Sequence, residues 1–497
     1  MTTNNELPGV EDPNKILYNS VIEKLKEIHQ TNNSEDSSFS HQLSIPCIYK
    51  VSKELRKLNK SAYNPCVVSI GPIHYSNDDD DDKEEQHLKE MEHIKMVYTG
   101  ELFCRIAGKS ASPEDKAYWM DKALMECSAA MLHFAASAFN CYAENLKRII
   151  EKKIPQHRLA QMLLIDGCFI LELLYRSYTV NNKIIHGDPL LGNSMFRLGI
   201  RHDLLLLENQ LPFFILNELF SKTIKTIPDH PWSSCPPLTQ FVLSFFGDMM
   251  NCENDDIHST TINPENDNCF HILHLLHSCY LPSSHDASEL SHFSHRASDL
   301  NRAGVKFVPG DGKGQFDVNF KEASLLLCLC DSAKFEIPPL SIDDLTEPFL
   351  RNLIAFEQCC SNIKRRQFTS YAFLMDSLID STADVELLEQ ADIITNYLGA
   401  SEEASVLFNN ICKYAELEMF DFAKPRKDAE NHCGYLWPRF LTSLKRDYFY
   451  NPWSVIAVVA AFILFVIAVV QTVYTLLTYY GVEYGTVRES CDMHSVL

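Results

Sequence analysis

The side chains in this sequence with the most chemical potential lie inside apolar runs, where charge is out of place. Asp166 and Glu172 interrupt AQMLLIDGCFILELLY (160–175). Asp203, Glu208, Asn209 and Gln210 interrupt RHDLLLLENQLPFFILNELF (201–220). Arg351, Asn352, Glu357 and Gln358 stand in FLRNLIAFEQ (349–358). A buried charge is costly unless it is paired and hydrogen-bonded. One reading is therefore a core polar network that fixes helix register, the acids meeting Arg351, Arg197 or Arg201 across the packing. The other is an active site built on Asp166, Glu208 and Glu357, because catalytic carboxylates also sit semi-buried with perturbed pKa values. The network reading is preferred, because no nucleophile with a placed base accompanies these acids.

Other constellations are weaker. His271, His274 and His277 are spaced three apart beside Cys269 and Cys279, and imidazole and thiolate are zinc ligands. The i, i+3, i+6 spacing drifts around a helix, and neither C-x-x-C nor H-E-x-x-H occurs. Core or helix-surface histidines are the expectation. Gly310–Gly314 (GDGKG) lacks the spacing of a phosphate loop and reads as a hairpin turn. Asp78–Asp82 has no calcium-loop register and reads as a solvated, self-repelling loop. No G-x-S-x-G occurs, and Cys359-Cys360 and Cys328-x-Cys330 are not redox motifs. The sequence thus predicts no catalytic residue, no metal site and no cofactor.

These residues need helices to hold them. Leu17, Val21, Leu25 and Ile28 recur at helical spacing, followed by a polar linker at 31–42; together residues 1–43 form an N-terminal helix and linker. Helical patterns follow at Leu88–Arg105, Lys122–Lys153, Ala160–Tyr175 and Arg201–Phe220, with Pro212 expected to start or kink a helix. The segment 225–265 reads as a variable excursion. Val305–Val308 and Phe316–Phe320 suggest a hairpin, with Phe335 and Ile337 as a third strand in a β element at 305–338. Helix resumes at Phe349–Glu357, Tyr371–Ile379, Val385–Tyr397 and Glu402–Lys424. The fold class is mainly α: one large helical domain at 44–445 with a small β-hairpin element and one C-terminal transmembrane helix.

Composition sets the outer limits. The chain carries 66 acidic and 44 basic residues, a net charge of −22. Nucleic acid is excluded as a partner, because phosphate binding needs a basic face. The 17 cysteines show no framework and read as reduced, largely buried thiols.

The one long apolar run is Val455–Leu477, VIAVVAAFILFVIAVVQTVYTLL. It is long enough to span a hydrocarbon core of roughly 30 Å. Arg439, Lys445 and Arg446 precede it, whereas only Arg488 follows among Glu483, Glu489 and Asp492. The positive-inside bias predicts a single-pass protein with its large N-terminal part in the cytosol and the tail 478–497 outside or in a lumen. Tyr448, Tyr450, Trp453, Tyr479 and Tyr480 bracket the run as interfacial anchors. The N-terminus has neither a basic n-region nor an apolar h-region, so no signal peptide is expected. Occupied sequons at Asn32 or Asn59 would reverse this topology.

The run also has a seam. Ala457, Ala461, Leu464, Ala468, Gln471 and Thr475 repeat at 4-3-4-3-4 and share one helix face. Small residues allow close helix approach in lipid, and an amide can hydrogen-bond across. The seam predicts self-association or pairing with another membrane protein.

Several of these segments carry a family resemblance. Ile45-Pro46-Cys47-Ile48-Tyr49, Asn64-Pro65 and Val68-Ser69-Ile70-Gly71-Pro72-Ile73-His74 begin it. Met91-Glu92, Lys95, Leu164–Phe169, Asp203 and Leu207–Phe213 continue it. Gly304–Phe307, Ile337-Pro338, Arg351–Gln358, Pro452-Trp453 and Gln471-Thr472 complete it. The sequence resembles the plant proteins grouped as domain of unknown function 247. The resemblance implies a plant protein with a C-terminal membrane anchor and no established enzymatic activity, some grass relatives being self-incompatibility determinants. The expectation is a tail-anchored, non-enzymatic binding, recognition or signalling adaptor at the plasma membrane or an endomembrane. Its predicted partners are the membrane, another protein, or a second copy of the chain. The alternative is a hydrolase or transferase using Asp166, Glu208 and Glu357.

Overall fold

The structure is a computed structural model that describes residues 46–434 and 452–492, apart from 76–85, 109–111, 229, 248, 250–269, 282–287, 290–292, 311–313, 323–331 and 364. The expected helix at 17–28, the linker at 31–42, the acidic run at 78–82 and the basic flank 439–446 lie outside the described residues.

The chain enters as an extended segment, 46–75, that carries only helix α1 (Lys53–Leu58) and a single 3-10 turn at Ser61–Tyr63. Ser52 caps α1, its hydroxyl accepting the Leu55 N–H. A helical layer follows: α2 (Gln86–Ile106), α3 (Pro113–Asn140), α4 (Glu144–Lys153), α5 (Gln156–Thr179), α6 (Ser194–Leu205), α7 (Phe213–Lys222) and α8 (Leu238–Phe246). Helix α5 is its axis. From 162 to 175 it is buried on nearly every side, Asp166 and Glu172 included, and packs Leu163, Phe169, Leu171 and Leu173 against α2, α3, α7 and α8.

A second layer holds α9 (Ile272–Tyr280), α10 (Ala297–Arg302), α11 (Thr346–Cys359), α12 (Gln367–Leu378), α13 (Thr382–Gln390), α14 (Ser401–Ile411) and α15 (Ala423–Gly434). Helix α11 packs on α6 and joins the layers. One continuous apolar cluster runs from Cys47 to Cys433. Three small sheets border it: β1 (Ser288–Glu289) with β7 (Met419–Phe420), β5 (Leu340–Ile342) with β6 (Ile394–Asn396), and β2 (Lys306–Pro309), β4 (Lys334–Ile337) and β3 (Asn319–Lys321) in the order β2-β4-β3. Helix α16 (Pro452–Asp492) ends the described chain.

The mainly helical class is as read from the sequence, but several local expectations are corrected. The predicted hairpin does not form. Strand β4 lies between β2 and β3, parallel to the first and antiparallel to the second. Phe335, fully buried, is the cross-strand partner of both Phe307 and Phe320. A hairpin would have placed only one aromatic against each partner.

The helix expected over 122–153 breaks at 141–143. There the entering segment intrudes, Cys141 O accepting the N–H groups of Cys47 and Ile48 while Ile48 O accepts from Ala143. The pattern 201–220 divides into α6 and α7, and Pro212 stands immediately before the second, as its expected start. Val385–Tyr397 ends its helix at Gln390. Asp392 turns at φ 55°, and Ile394–Asn396 pairs in parallel with Leu340–Ile342, as β-branched residues favour. Glu402–Lys424 stops at Ile411, after which Tyr414 at φ 64° redirects the chain into β7. The apolar stretch inside the excursion 225–265 is α8, whose Phe241 packs on Tyr175 and Tyr178.

Candidate functional site

The polar residues singled out by sequence form a set of side-chain clamps along the entering segment. An extended chain without a strand partner leaves its backbone donors unmet, and a buried unmet donor is costly. Here side chains supply the acceptors. Glu208 accepts the Val51 N–H at 2.6 Å and Arg56 Nη2 at 2.5 Å. Asp203, in the last turn of α6, takes three consecutive donors: Cys66 N at 2.8 Å, Val67 N at 2.6 Å and Val68 N at 2.7 Å. Asn209 accepts from Ile70 N at 2.7 Å and donates to Val68 O at 3.0 Å. Asp166 accepts from Gly71 N at 2.8 Å and from Lys95 Nζ at 2.7 Å. Gly71 sits at φ 70°, and a Cβ there would lie 3.1 Å from both Gln210 O and the Tyr142 hydroxyl. That conformation and that space require glycine.

The same residues terminate helices. Asn209 Nδ2 donates to Asp203 O, and Gln210 Nε2 donates to Leu204 O and Leu206 O. These amides satisfy carbonyls that the end of α6 leaves open. Asn352 ties the layers together, accepting Leu207 N at 2.9 Å and donating to Ala62 O at 2.7 Å. Glu357 accepts Phe368 N, Thr369 N and the Thr369 hydroxyl at the start of α12, and meets His277 Nε2 at 2.9 Å. Gln358 exchanges both amide groups with the backbone of Glu416.

The cations are not the expected ones. Asp166 meets Lys95, Glu208 meets Arg56, and Glu172 meets Arg105 and Arg176. Arg351 turns to Glu347 in its own helix, Arg197 donates to Asn182 O, and Arg201 lies over the Phe245 ring. Glu172–Arg176 is an i,i+4 pair within α5, but Asp166–Lys95 and Glu172–Arg105 were invisible to sequence reasoning because the packing of α2 on α5 sets them, and Glu208–Arg56 because the entering segment does. Burial works against the Lys95 ammonium, but Asp166 and Glu92 outweigh it and raise its pKa. The histidines are structural. His271 caps α9 through Nδ1 and its Nε2 faces Cys47 O at 3.1 Å, and burial depresses its pKa to about 3.

The three carboxylates of the enzymatic alternative do not converge. A cavity of about 60 Å³ is lined by Asp166, Lys95 and Gly71 but by neither Glu208 nor Glu357. A larger cleft of about 710 Å³ opens elsewhere, between α11 and α14, among Asp343, Asp344, Glu347, Arg351, Glu402 and Glu403. A third opening, about 360 Å³, lies beside Arg105, Cys104 and Tyr175. Beyond these, α3 exposes Tyr118, Met125 and Leu132, seven residues apart on one face. Composition alone could not separate that face from core.

Helix α16 contains Val459–Tyr479, mean hydropathy 2.4 and fully exposed, long and apolar enough to cross a membrane. The seam residues Ala457, Ala461, Leu464, Ala468, Gln471 and Thr475 are all exposed on it. The Thr475 hydroxyl donates to Gln471 O within the helix.

A family model described as plant protein of unknown function, domain of unknown function 247, matches residues 48–467. The chain belongs to that family. The domain of unknown function 247 match takes in every member of the polar network and the first part of the apolar helix. The chain is 27% identical over 439 residues to the UPF0481 protein At3g47200 of Arabidopsis thaliana, covering 83% of each chain. It is 30% identical over 165 residues to the putative UPF0481 protein At3g02645 of Arabidopsis thaliana, covering 33% of this chain and 30% of that one. No solved structure matches.

Proposed function

We propose that this chain is a single-pass, tail-anchored membrane protein whose large N-terminal region faces the cytosol and works as a non-enzymatic binding adaptor for another protein. The observation that carries the reading is the occupancy of the buried acids. Asp166, Glu208 and Glu357 are each filled by backbone donors and a cation or histidine. A catalytic group needs a free face toward a substrate and a cavity to hold it. Binding, by contrast, needs an exposed face that water covers poorly, and Tyr118, Met125 and Leu132 supply one. The apolar span Val459–Tyr479 supports the anchor.

The test is proximity labelling from the N-terminus of the full chain in plant cells, combined with protease protection of sealed membranes. The expected result is an N-terminal region cleaved without detergent, and a set of labelled neighbours lost in Met125→Glu/Leu132→Glu. Protection of the region, glycosylation at Asn59, or unchanged neighbours in that variant overturns the reading.

A further inference from the structure

The polar network contains one position it does not explain. Asp203, fully buried, is served by three backbone donors, and its one ion-pair partner among the described residues is His202. Beside both lies Cys66, whose thiol is exposed. His202 Nδ1 is 2.8 Å from Asp203 Oδ1 and 3.8 Å from Cys66 Sγ. These three ligand atoms all lie within 4.8 Å of one another, and no other such cluster of histidine, cysteine and carboxylate occurs among the described residues.

The arrangement resembles a catalytic Cys–His–Asp triad, but its geometry is different. A triad uses the two ring nitrogens separately, one toward the acid and one toward the nucleophile. Here the same atom, Nδ1, faces both Asp203 and Cys66. A proton cannot be relayed through a single nitrogen, whereas a metal ion placed among the three atoms uses each lone pair once. Zn–S bonds of roughly 2.3 Å and Zn–N bonds of 2.0–2.1 Å put a tetrahedral S···N edge at about 3.5 Å, close to the 3.8 Å found. The 2.8 Å Nδ1···Oδ1 contact is shorter than a tetrahedral edge between two ligands, so metal entry requires the mostly buried His202 ring to turn away from Asp203.

The surroundings hold the ligands in place. The Asp203 carboxylate is oriented by the N–H groups of Cys66, Val67 and Val68, the kind of outer-shell bonding that fixes metal-binding carboxylates. A Cβ on Gly199 would lie 2.4 Å from Val67 Cγ2 and 3.4 Å from Cys66 Sγ. Glycine there lets the loop rest directly on α6, with Sγ above the turn that carries His202.

We infer that Cys66 Sγ, His202 Nδ1 and Asp203 Oδ1 form a zinc site, with the fourth position open to water on the exposed side of Cys66. Zinc is favoured over magnesium or calcium because two of the three ligands are sulfur and imidazole nitrogen. The cysteine enters as thiolate, its proton passing to solvent.

The experiment uses the full chain purified in detergent, stripped with a chelator and titrated with Co²⁺ alone. One cobalt per chain should bind with a cysteinate-to-cobalt charge-transfer band, and Zn²⁺ should displace it. Cys66→Ala and His202→Ala should each abolish the band and weaken cobalt binding at least about tenfold, since even outer-shell partners of metal ligands carry 10–100-fold. Cys104→Ser, at the other exposed cysteine among the described residues, should change neither. Cys66→Ala keeps the backbone N–H that Asp203 holds, so its circular dichroism and metal-free melting curve should match the parent and exclude misfolding. Absence of a stoichiometric band, or a band that survives Cys66→Ala, overturns the assignment.

Discussion

Glu208 Oε1 and the Val51 N–H meet at 2.6 Å across 157 residues of sequence, and this contact fastens the entering chain to the helical body. The same oxygen receives Arg56 Nη2, so one carboxylate holds α1 at both its approach and its last turn. Glu208→Leu would leave the buried Val51 N–H without an acceptor and Arg56 without its carboxylate partner. Removing one partner of such a buried pair costs about 3–5 kcal/mol. The expected outcome is a fall of that order in urea-unfolding free energy, with faster hydrogen exchange concentrated in residues 46–75. Glu208→Gln keeps an acceptor oxygen and should lose less. Equal losses in the two variants would show that charge alone matters.

Lys95 and Asp166 give a sharper case, because both are buried. Lys95 Nζ reaches Asp166 at 2.7 Å and also donates to Ser69 O. Lys95→Met leaves a buried carboxylate uncompensated, and Asp166→Leu leaves a buried ammonium whose remaining carboxylate partner is the half-exposed Glu92. Each should cost about 3–5 kcal/mol, whereas replacing both by apolar groups is often close to neutral. A double-mutant cycle by chemical denaturation should therefore show a double variant more stable than either single one. Additive losses would refute the coupling.

Stability should also depend on pH through buried histidines. Burial depresses His271 to about 3 and, with Arg56 adding to it, His74 to about 4. Burial and the neighbouring His271 and His277 hold His274 well below its ordinary value. An unfolded histidine titrates near 6.5. Above that pH both states are neutral and the groups contribute no difference. As pH falls below about 6.5 the unfolded chain binds protons that the folded chain refuses, so stability drops toward pH 4. The slope per histidine approaches about 1.4 kcal/mol per pH unit. Unfolding free energies at pH 7 and pH 5 should differ accordingly, and His271→Gln should flatten the dependence. A pH-independent midpoint over this window would contradict it.

What the sequence made legible follows from the physics of burial. Asp166, Glu208, Asn352 and Glu357 stood out because a polar or charged group inside an apolar run demands a partner. That demand is local, but the partner is not. Lys95 and Arg56 sit in ordinary polar surroundings, and only the packing of α2 and the entering segment brings them in. The parallel pairing of Lys306–Pro309 with Lys334–Ile337 was hidden for the same reason, since adjacent alternating segments look like a hairpin until a third strand competes. The His271, His274 and His277 spacing reads as helix-surface or core; His271 caps α9, and His271 and His277 are buried. Cys66 carried no signal at all, because its neighbours His202 and Asp203 lie 136 and 137 positions away.

The apolar helix allows a last prediction. Ala457, Ala461, Leu464, Ala468, Gln471 and Thr475 lie on one exposed face. The hydroxyl of Thr475 is already used on Gln471 O, which leaves the Gln471 amide as the seam's one group with unused hydrogen-bonding capacity. In lipid, small residues let two helices come close and an amide bonds across the gap, each such bond contributing roughly 0.6–2 kcal/mol. Gln471→Leu removes the bond, and Ala461→Ile fills the space that close approach requires. Together they should weaken association in a membrane two-hybrid assay by roughly tenfold, the equivalent of about 1.4 kcal/mol. A control at Phe465→Leu, off the seam, should leave it unchanged. Association by Gln471→Leu/Ala461→Ile equal to that of the parent chain would remove the seam as a pairing surface.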